Sequence, residues 1–230
     1  MSLIESISGV YKKISDAAMK AGRDPSEVKL LSVTKTVSPE LVREAVDAGI
    51  RLIGENRVQE ARAKIEALRG VIPDTVSWHL IGHLQSNKAR AAVGLFDVIQ
   101  SLDSIELARR IDRYAGEAGK VQDLLIQVKL AGEEGKSGMS PDDLPASMDA
   151  LLELKNIRIN GLMTIPPFFE DPEEVRPYFR RLRELRDSLS GRGIELPELS
   201  MGMSGDYEVA VEEGATMVRV GTAIFGERSY

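Results

Sequence analysis

The stretch Leu30-Leu31-Ser32-Val33-Thr34-Lys35 is a short apolar run that ends on a charged residue, and Ser38-Pro39 follows three residues later. A short β-rich run of this kind predicts a buried strand. A serine followed by a proline predicts a helix start, because the hydroxyl caps the first turn and the proline ring fits within it. The stretch therefore predicts a strand joined to a helix by a short loop, which is the repeating unit of parallel α/β proteins.

The same pattern recurs along the chain. Gly49 and Gly214 stand where helices should end, and Ser140-Pro141 repeats the helix-start signal. Eight β-rich runs alternate with segments of helical periodicity, and they are Val28–Thr34, Arg51–Gly54, Ser77–Gly82, Phe96–Leu102, Leu124–Lys129, Ile157–Thr164, Leu196–Met201 and Met217–Gly221. Eight such units predict an α/β fold, a (β/α)8 TIM-type barrel.

The first twenty or so residues predict an additional amphipathic helix that ends near Gly22 and precedes the barrel. Its apolar positions recur at helical spacing, and they are Ile4, Ile7, Val10, Tyr11 and Ile14. A chain of 230 residues is long enough for one sizeable core, and barrels of about this length are common. We therefore expect a single domain over residues 1–230.

Composition excludes several classes of function. A net charge of −6 lacks the excess of Lys and Arg that nucleic-acid binding uses, so we expect no nucleic-acid partner. The absence of cysteine excludes disulfides, thiolate nucleophiles and Cys-ligated metals. The apolar runs are shorter than the roughly 18 residues that span a bilayer, so we expect a cytoplasmic protein without membrane contact. His79 and His83 are expected to straddle a strand end, and no metal site is predicted.

Lys35 is the first candidate for chemistry. Reactive groups of such barrels lie at the carboxyl ends of the strands, and Lys35 ends the first run. Partial removal from water at that position would favour the neutral amine, which attacks aldehydes. The alternative is a lysine whose side chain simply extends from the strand end into solvent.

Small-residue turns follow the last two runs. Ser204 lies in the first turn, and Gly221 and Thr222 lie in the second. Backbone N–H groups at the start of a helix, together with two hydroxyls, suit a phosphate, and many barrels bind phosphate after these two strands. Two ordinary tight turns are the alternative.

Arg219 lies within the final run, between Val218 and Val220. Strand alternation points it to the face opposite these neighbours, either into the barrel mouth or outward to a helix. An arginine that points into the barrel needs a negatively charged group or a hydrogen-bond acceptor as its partner. The alternative is a partly buried salt bridge with a carboxylate such as Glu208.

Six motifs, in order from about Val28 to Gly226, resemble the pyridoxal phosphate homeostasis protein family. They are Leu31–Thr36, Ile53–Glu60, Trp78–Lys88, Gly161–Thr164, Ser200–Ser204 and Arg219–Thr222. The resemblance implies one barrel domain that binds pyridoxal 5′-phosphate (PLP), similar to the N-terminal domain of alanine racemase but without that enzyme's second, β-rich domain.

The resemblance also assigns roles to residues. Lys35 matches the lysine that forms the internal aldimine with PLP, and Arg219 matches the arginine beside the pyridine nitrogen. Lys136 matches a lysine that the family often has in this loop, where it would make a second contact with PLP.

The remaining matches concern the phosphate and the ring. Ser204, Gly221 and Thr222 match the residues that hold the phosphate. Asn56 and Met163 match positions that line the ring pocket.

Three functions stay open on the sequence. The resemblance favours a monomeric PLP-binding protein of vitamin B6 homeostasis that lacks strong catalytic activity, with PLP-dependent apoenzymes as partners. A PLP-dependent amino-acid racemase would share the barrel and the lysine. A barrel enzyme acting on phosphate sugars would use Lys35 for a Schiff base with its substrate and would carry no PLP.

Overall fold

The computed structural model of the chain describes residues 2–131 and 137–227. Eight parallel strands close into one barrel in chain order, and β8 pairs with β1. The strands are β1 Lys29–Val33, β2 Leu52–Glu55, β3 Ser77–Leu80, β4 Val98–Leu102, β5 Gln122–Gln127, β6 Ile157–Met163, β7 Glu198–Ser200 and β8 Met217–Val220. The predicted (β/α)8 barrel is confirmed, and each of the eight predicted runs overlaps one strand.

Helices follow the strands and cover the outside of the barrel. They are α1 Leu3–Lys20, α2 Pro39–Asp47, α3 Val58–Leu68, α4 Ala89–Leu95, α5 Ile105–Glu117, α6 Leu144–Leu152, α7 Arg176–Ser190, α8 Tyr207–Glu212 and α9 Thr222–Phe225. As the sequence predicted, Ser38 caps α2, and its hydroxyl accepts a hydrogen bond from the N–H of Leu41. Within residues 2–131 and 137–227, no helix has the length and apolar character needed to cross a bilayer.

The predicted N-terminal helix is present as α1. Ser2 and Glu5 form a reciprocal cap at its start, where each side chain accepts a hydrogen bond from the other's backbone N–H. The helix ends at Lys20, and Gly22 follows with a φ of +69°. Two members of the predicted apolar stripe, Ile4 and Tyr11, lie exposed at its edge, while the rest are buried.

Strand β5 begins at Gln122, two residues before the predicted run. Its first residues, Gln122 and Asp123, are polar, and the hydrophobic pattern therefore missed them. Gln122 is nevertheless fully buried, because its amide donates hydrogen bonds to the carbonyl oxygens of Phe96 and Asp97 on the neighbouring segment. A polar side chain can occupy the core when its donors are satisfied.

Gly161 offers a test of the strand packing. It lies in β6 opposite Glu198 of β7, and a Cβ at this position would collide with the backbone carbonyl group of Glu198. We expect Gly161→Ala to lower the free energy of unfolding by about 1–3 kcal/mol in urea denaturation. The control is Gly9→Ala in α1, where a Cβ meets open space and should stabilise by about 0.5–1 kcal/mol. Equal effects of the two substitutions would contradict the close approach of β6 and β7.

Candidate functional site

The carboxyl ends of the strands open into two adjoining cavities. The main cavity measures about 400 Å³, and the side cavity measures about 290 Å³. Val33, Lys35, Met203 and Arg219 line both, so the two cavities are parts of one site. This is the end of the barrel at which the sequence analysis placed the reactive groups.

Six of the seven residues that the sequence assigned to a site line these cavities. Lys35 and Arg219 line both, Asn56 lines the main cavity, and Ser204, Gly221 and Thr222 line the side cavity. Met163 ends β6 with its side chain fully buried and lines neither cavity, so its role in a ring pocket stays a prediction. Lys136 lies outside the described residues.

Lys35 is half-buried. It lies between Thr34 and Thr36, and a hydrogen bond with a neighbouring side chain fixes the backbone of each threonine. On one side, the carbonyl oxygen of Thr34 accepts a hydrogen bond from Lys64 Nζ at 2.6 Å. On the other side, Thr36 has a φ of +62°, and its N–H donates to Glu60 Oε1 at 2.5 Å. A non-glycine residue adopts this left-handed conformation at a cost in free energy, so the bond to Glu60 fixes a strained turn beside Lys35.

A buried ion pair lies behind this turn. Lys64 Nζ and Thr34 Oγ1 both donate to Glu55 Oε1 at 2.5 Å, and Lys64 Nζ also lies 3.2 Å from Glu60 Oε1. Lys64 is 4% exposed and Glu55 is fully buried. Burial raises the pKa of Glu55, and the hydrogen bond and charge of Lys64 oppose that shift.

Sequence reasoning missed Lys64, although a signal was present. The buried face of α3 consists of Val58, Ala61, Lys64 and Leu68, which follow one another at helical spacing. A charged residue at a position where the periodicity requires an apolar one indicates a buried partner.

Arg219 points into the barrel and is 1% exposed. Its Nη1 donates to Ser200 Oγ at 2.8 Å, and its Nη2 donates to the carbonyl oxygen of Thr164 at 2.7 Å. Burial lowers the pKa of Arg219 to about 10, and the charge of Asp206 opposes that shift. The alternative partner, Glu208, pairs with Lys13 instead.

A chain of hydrogen bonds continues from Arg219 through the barrel interior. Ser200 Oγ donates to Gln100 Oε1 at 2.6 Å, and Gln100 Nε2 lies 2.8 Å from His79 Nδ1. His79 Nε2 lies 3.1 Å from Ser77 Oγ. His79 is 3% exposed, and burial lowers its pKa to about 4, which keeps the ring neutral and able to accept from Gln100.

The two predicted small-residue turns meet at Ser204. Its hydroxyl oxygen accepts hydrogen bonds from the N–H groups of Gly221 at 3.2 Å and Ala223 at 3.4 Å. Gly202 has a φ of +90° and lies so close to Ala210 and Tyr207 that a side chain there would collide with them. The turns after β7 and β8 therefore form one wall of the side cavity.

Sequence reasoning also missed His83, Gln127 and Lys129, which line the main cavity. His83 was weighed as a metal ligand only. In the part of the chain that the structure describes, no group of three or more His, Cys, Asp or Glu residues is arranged to hold a metal ion.

Comparisons with known proteins agree with this geometry. The family described as alanine racemase, N-terminal domain, matches residues 16–229. The pyridoxal phosphate homeostasis protein of Aquifex aeolicus (strain VF5) is 49% identical over 231 residues, which is 100% of both chains. That of Pseudomonas aeruginosa PAO1 is 42% identical over 229 residues, covering 100% of this chain and 97% of the relative.

Solved structures give the same result. PipY of Synechococcus elongatus PCC7942, solved with PLP bound, superimposes with a TM-score of 0.86 at 43% identity and covers 98% of this chain and 100% of its own. An alanine racemase of Clostridium difficile 630 superimposes with a TM-score of 0.71 at 15% identity, over 95% of this chain and 56% of the racemase. The second likeness concerns the fold alone.

The neutral state of His79 has a measurable consequence. Its pKa is about 4 in the folded protein and about 6.5 in the unfolded chain, so the unfolded chain binds the extra proton first as pH falls. The stability that His79 contributes is therefore complete above pH 6.5 and declines as pH falls toward 4. Between pH 7 and 4.5 we expect the wild type to lose about 2–3 kcal/mol more than His79→Gln in urea unfolding. Parallel pH profiles would contradict a buried neutral imidazole.

Proposed function

The chain belongs to the pyridoxal phosphate homeostasis protein family, and from this premise we propose that it binds PLP in the strand-end cavities and takes part in PLP homeostasis. The observation that carries the proposal is the meeting of Lys35, Arg219 and the Ser204 turn around one site. These three groups come from opposite ends of the chain and face the same space.

The chemistry of the donors fits PLP. The ligand carries an aldehyde, a pyridine nitrogen and a phosphate dianion. Lys35 offers an amine, Arg219 offers a guanidinium, and the turn of Ser204, Gly221 and Thr222 offers hydroxyl and backbone donors. The main cavity, at about 400 Å³, lies in the usual range for a small ligand.

We propose that Lys35 is the covalent attachment point. When bound, PLP supplies an aldehyde carbon with which an amine condenses, with loss of water. Thr34 and Thr36 hold the backbone of Lys35 on both sides, so the amine projects from a fixed turn. The strained φ of Thr36 is consistent with a turn kept for function.

Arg219 supports a binding role better than a catalytic one. Its two hydrogen bonds to Ser200 and Thr164 fix the guanidinium, and a pKa of about 10 keeps it charged at neutral pH. A charged donor facing the pyridine nitrogen occupies its lone pair and leaves it unprotonated, whereas a carboxylate would keep it protonated. The ring is then a weak acceptor of electrons, which disfavours carbanion chemistry.

A racemase also needs a second base on the opposite face of its substrate. Among the described residues no tyrosine lines either cavity; Tyr11, Tyr114, Tyr178 and Tyr207 all lie elsewhere. An enzyme acting on phosphate sugars would use the same lysine, but the relatives named for PLP favour the PLP-binding function.

We propose further that the protein acts as a monomer in the cytoplasm and exchanges PLP with PLP-dependent apoenzymes. The acidic composition, with a net charge of −6, is consistent with a cytoplasmic protein.

Covalent attachment can be tested by borohydride reduction of the PLP-loaded protein followed by peptide mapping. We expect the pyridoxyl mass on the peptide that contains Lys35, because this amine lines both cavities. Lys35→Ala should lose the visible absorption of bound PLP, while Lys155→Ala serves as a control. A pyridoxyl mass found only on Lys129 or Lys88 would contradict the assignment.

The lack of racemase activity can be tested in deuterated water. The PLP-loaded protein is incubated with L-alanine, and NMR follows exchange at Cα while a chiral assay follows D-alanine. We expect neither exchange nor D-alanine at a useful rate, because Arg219 disfavours the carbanion and no tyrosine of the described residues lines the cavities to act as the opposing base. Rapid exchange at Cα together with accumulation of D-alanine would show that the protein is a racemase. It would contradict the proposal that the protein binds PLP without strong catalytic activity.

A further inference from the structure

His83 is the imidazole that lines the main cavity together with Lys35. Its Nδ1 lies 3.2 Å from Asp103 Oδ2 and 3.0 Å from Ser137 Oγ. The side chain is 53% exposed, so its protons exchange freely with water. The ring therefore lies between the interior of the main cavity and solvent.

Asp103 is itself held in place. Its Oδ1 accepts a hydrogen bond from the hydroxyl of Ser104 at 3.1 Å, and Ser104 caps α5 by accepting from the N–H of Leu107. The other oxygen, Oδ2, is thereby aimed at His83. A carboxylate at Nδ1 of an imidazole favours the tautomer that carries hydrogen on Nδ1 and leaves a lone pair on Nε2. His83 thus has the arrangement of an oriented base.

The other charged groups around His83 have different roles. Lys35, Lys129 and Arg219 share the main cavity with it, and Arg57 and Lys88 share a groove on its other side. Arg219 stays charged at neutral pH and donates only. The second imidazole of the chain, His79, is enclosed within the barrel and engaged by Gln100. His83 is accordingly the ring in this cavity that can both accept and donate a proton.

We propose that His83 carries the proton when PLP passes from Lys35 to an incoming amine. The inference rests on the proposed function, in which Lys35 holds the aldehyde carbon of PLP. In the transfer, the bond between that carbon and the nitrogen of Lys35 breaks, and a bond to the nitrogen of the incoming amine forms. One proton leaves the incoming amine and one reaches Lys35, and no electrons are gained or lost. His83 accepts the first through Nε2 and returns a proton to Lys35, while Asp103 holds the ring.

The test measures the rate of PLP release from the intact, PLP-loaded protein to excess ethanolamine, followed by circular dichroism of the bound cofactor. We expect His83→Ala to slow release by about 100-fold, which is typical for loss of a general acid–base. The equilibrium affinity for PLP should fall far less than the release rate, and added imidazole should restore the rate because it replaces the missing proton carrier. His83→Gln keeps a hydrogen-bonding group but no transferable proton, and should be equally slow.

Ser137→Ala provides the comparison for a merely structural role, since it removes the second partner of Nδ1 and keeps the imidazole. Release from this variant should be slowed far less than release from His83→Ala. Release from His83→Ala at the wild-type rate, a loss of PLP affinity in that variant as large as its loss of rate, or an equal slowing by Ser137→Ala would each overturn the proposal. A wild-type protein that took up no PLP would instead remove the proposed function, and this inference with it.

Discussion

The buried ammonium of Lys64 is the interaction on which the site depends most. It joins the end of β1 through Thr34, the end of β2 through Glu55, and the first turn of α3 through Glu60. Taking such a charge out of water is costly, and only close partners on several sides offset that cost. Removing one partner leaves an uncompensated buried charge, so the pair is stable only as a unit. The backbone on both sides of Lys35 is fixed by this arrangement.

A second polar system supports the other side of the cavity. Arg219, Ser200, Gln100 and His79 form a continuous series of hydrogen bonds inside the barrel. Arg219 can only donate, so the hydroxyl of Ser200 donates in turn to Gln100 Oε1, which leaves Gln100 Nε2 to face His79. Polar groups in a low-dielectric interior specify one geometry when all are satisfied. The guanidinium therefore faces the cavity in one orientation.

The sequence predicted the barrel because strand periodicity and helix caps are local signals, and it predicted Lys35 because strand ends carry the reactive groups of this fold. The sequence did not predict the buried position of Gln122 or Lys64 or the place of His83 in the cavity, and the three share one physical reason. Each is polar, and its partner is brought close only by folding: Asp97 for Gln122, Glu55 for Lys64 and Asp103 for His83. Spacing along the chain does not identify these partners, although a charged residue on the buried face of α3 indicates that Lys64 has one. The functional roles of the cavity residues stay predictions that the geometry supports.

The closure of the barrel has a consequence for biosynthesis. Strand β1 pairs with β8, and α1 packs on α8 and α9, so segments far apart in the sequence complete one another. Contacts of such long sequence separation form last, because closing the loop between them costs the most conformational entropy. Lys35 emerges early from the ribosome, whereas Arg219 and Thr222 are synthesised long after it. The nascent chain therefore cannot assemble the site before β8 and α9 have left the ribosome.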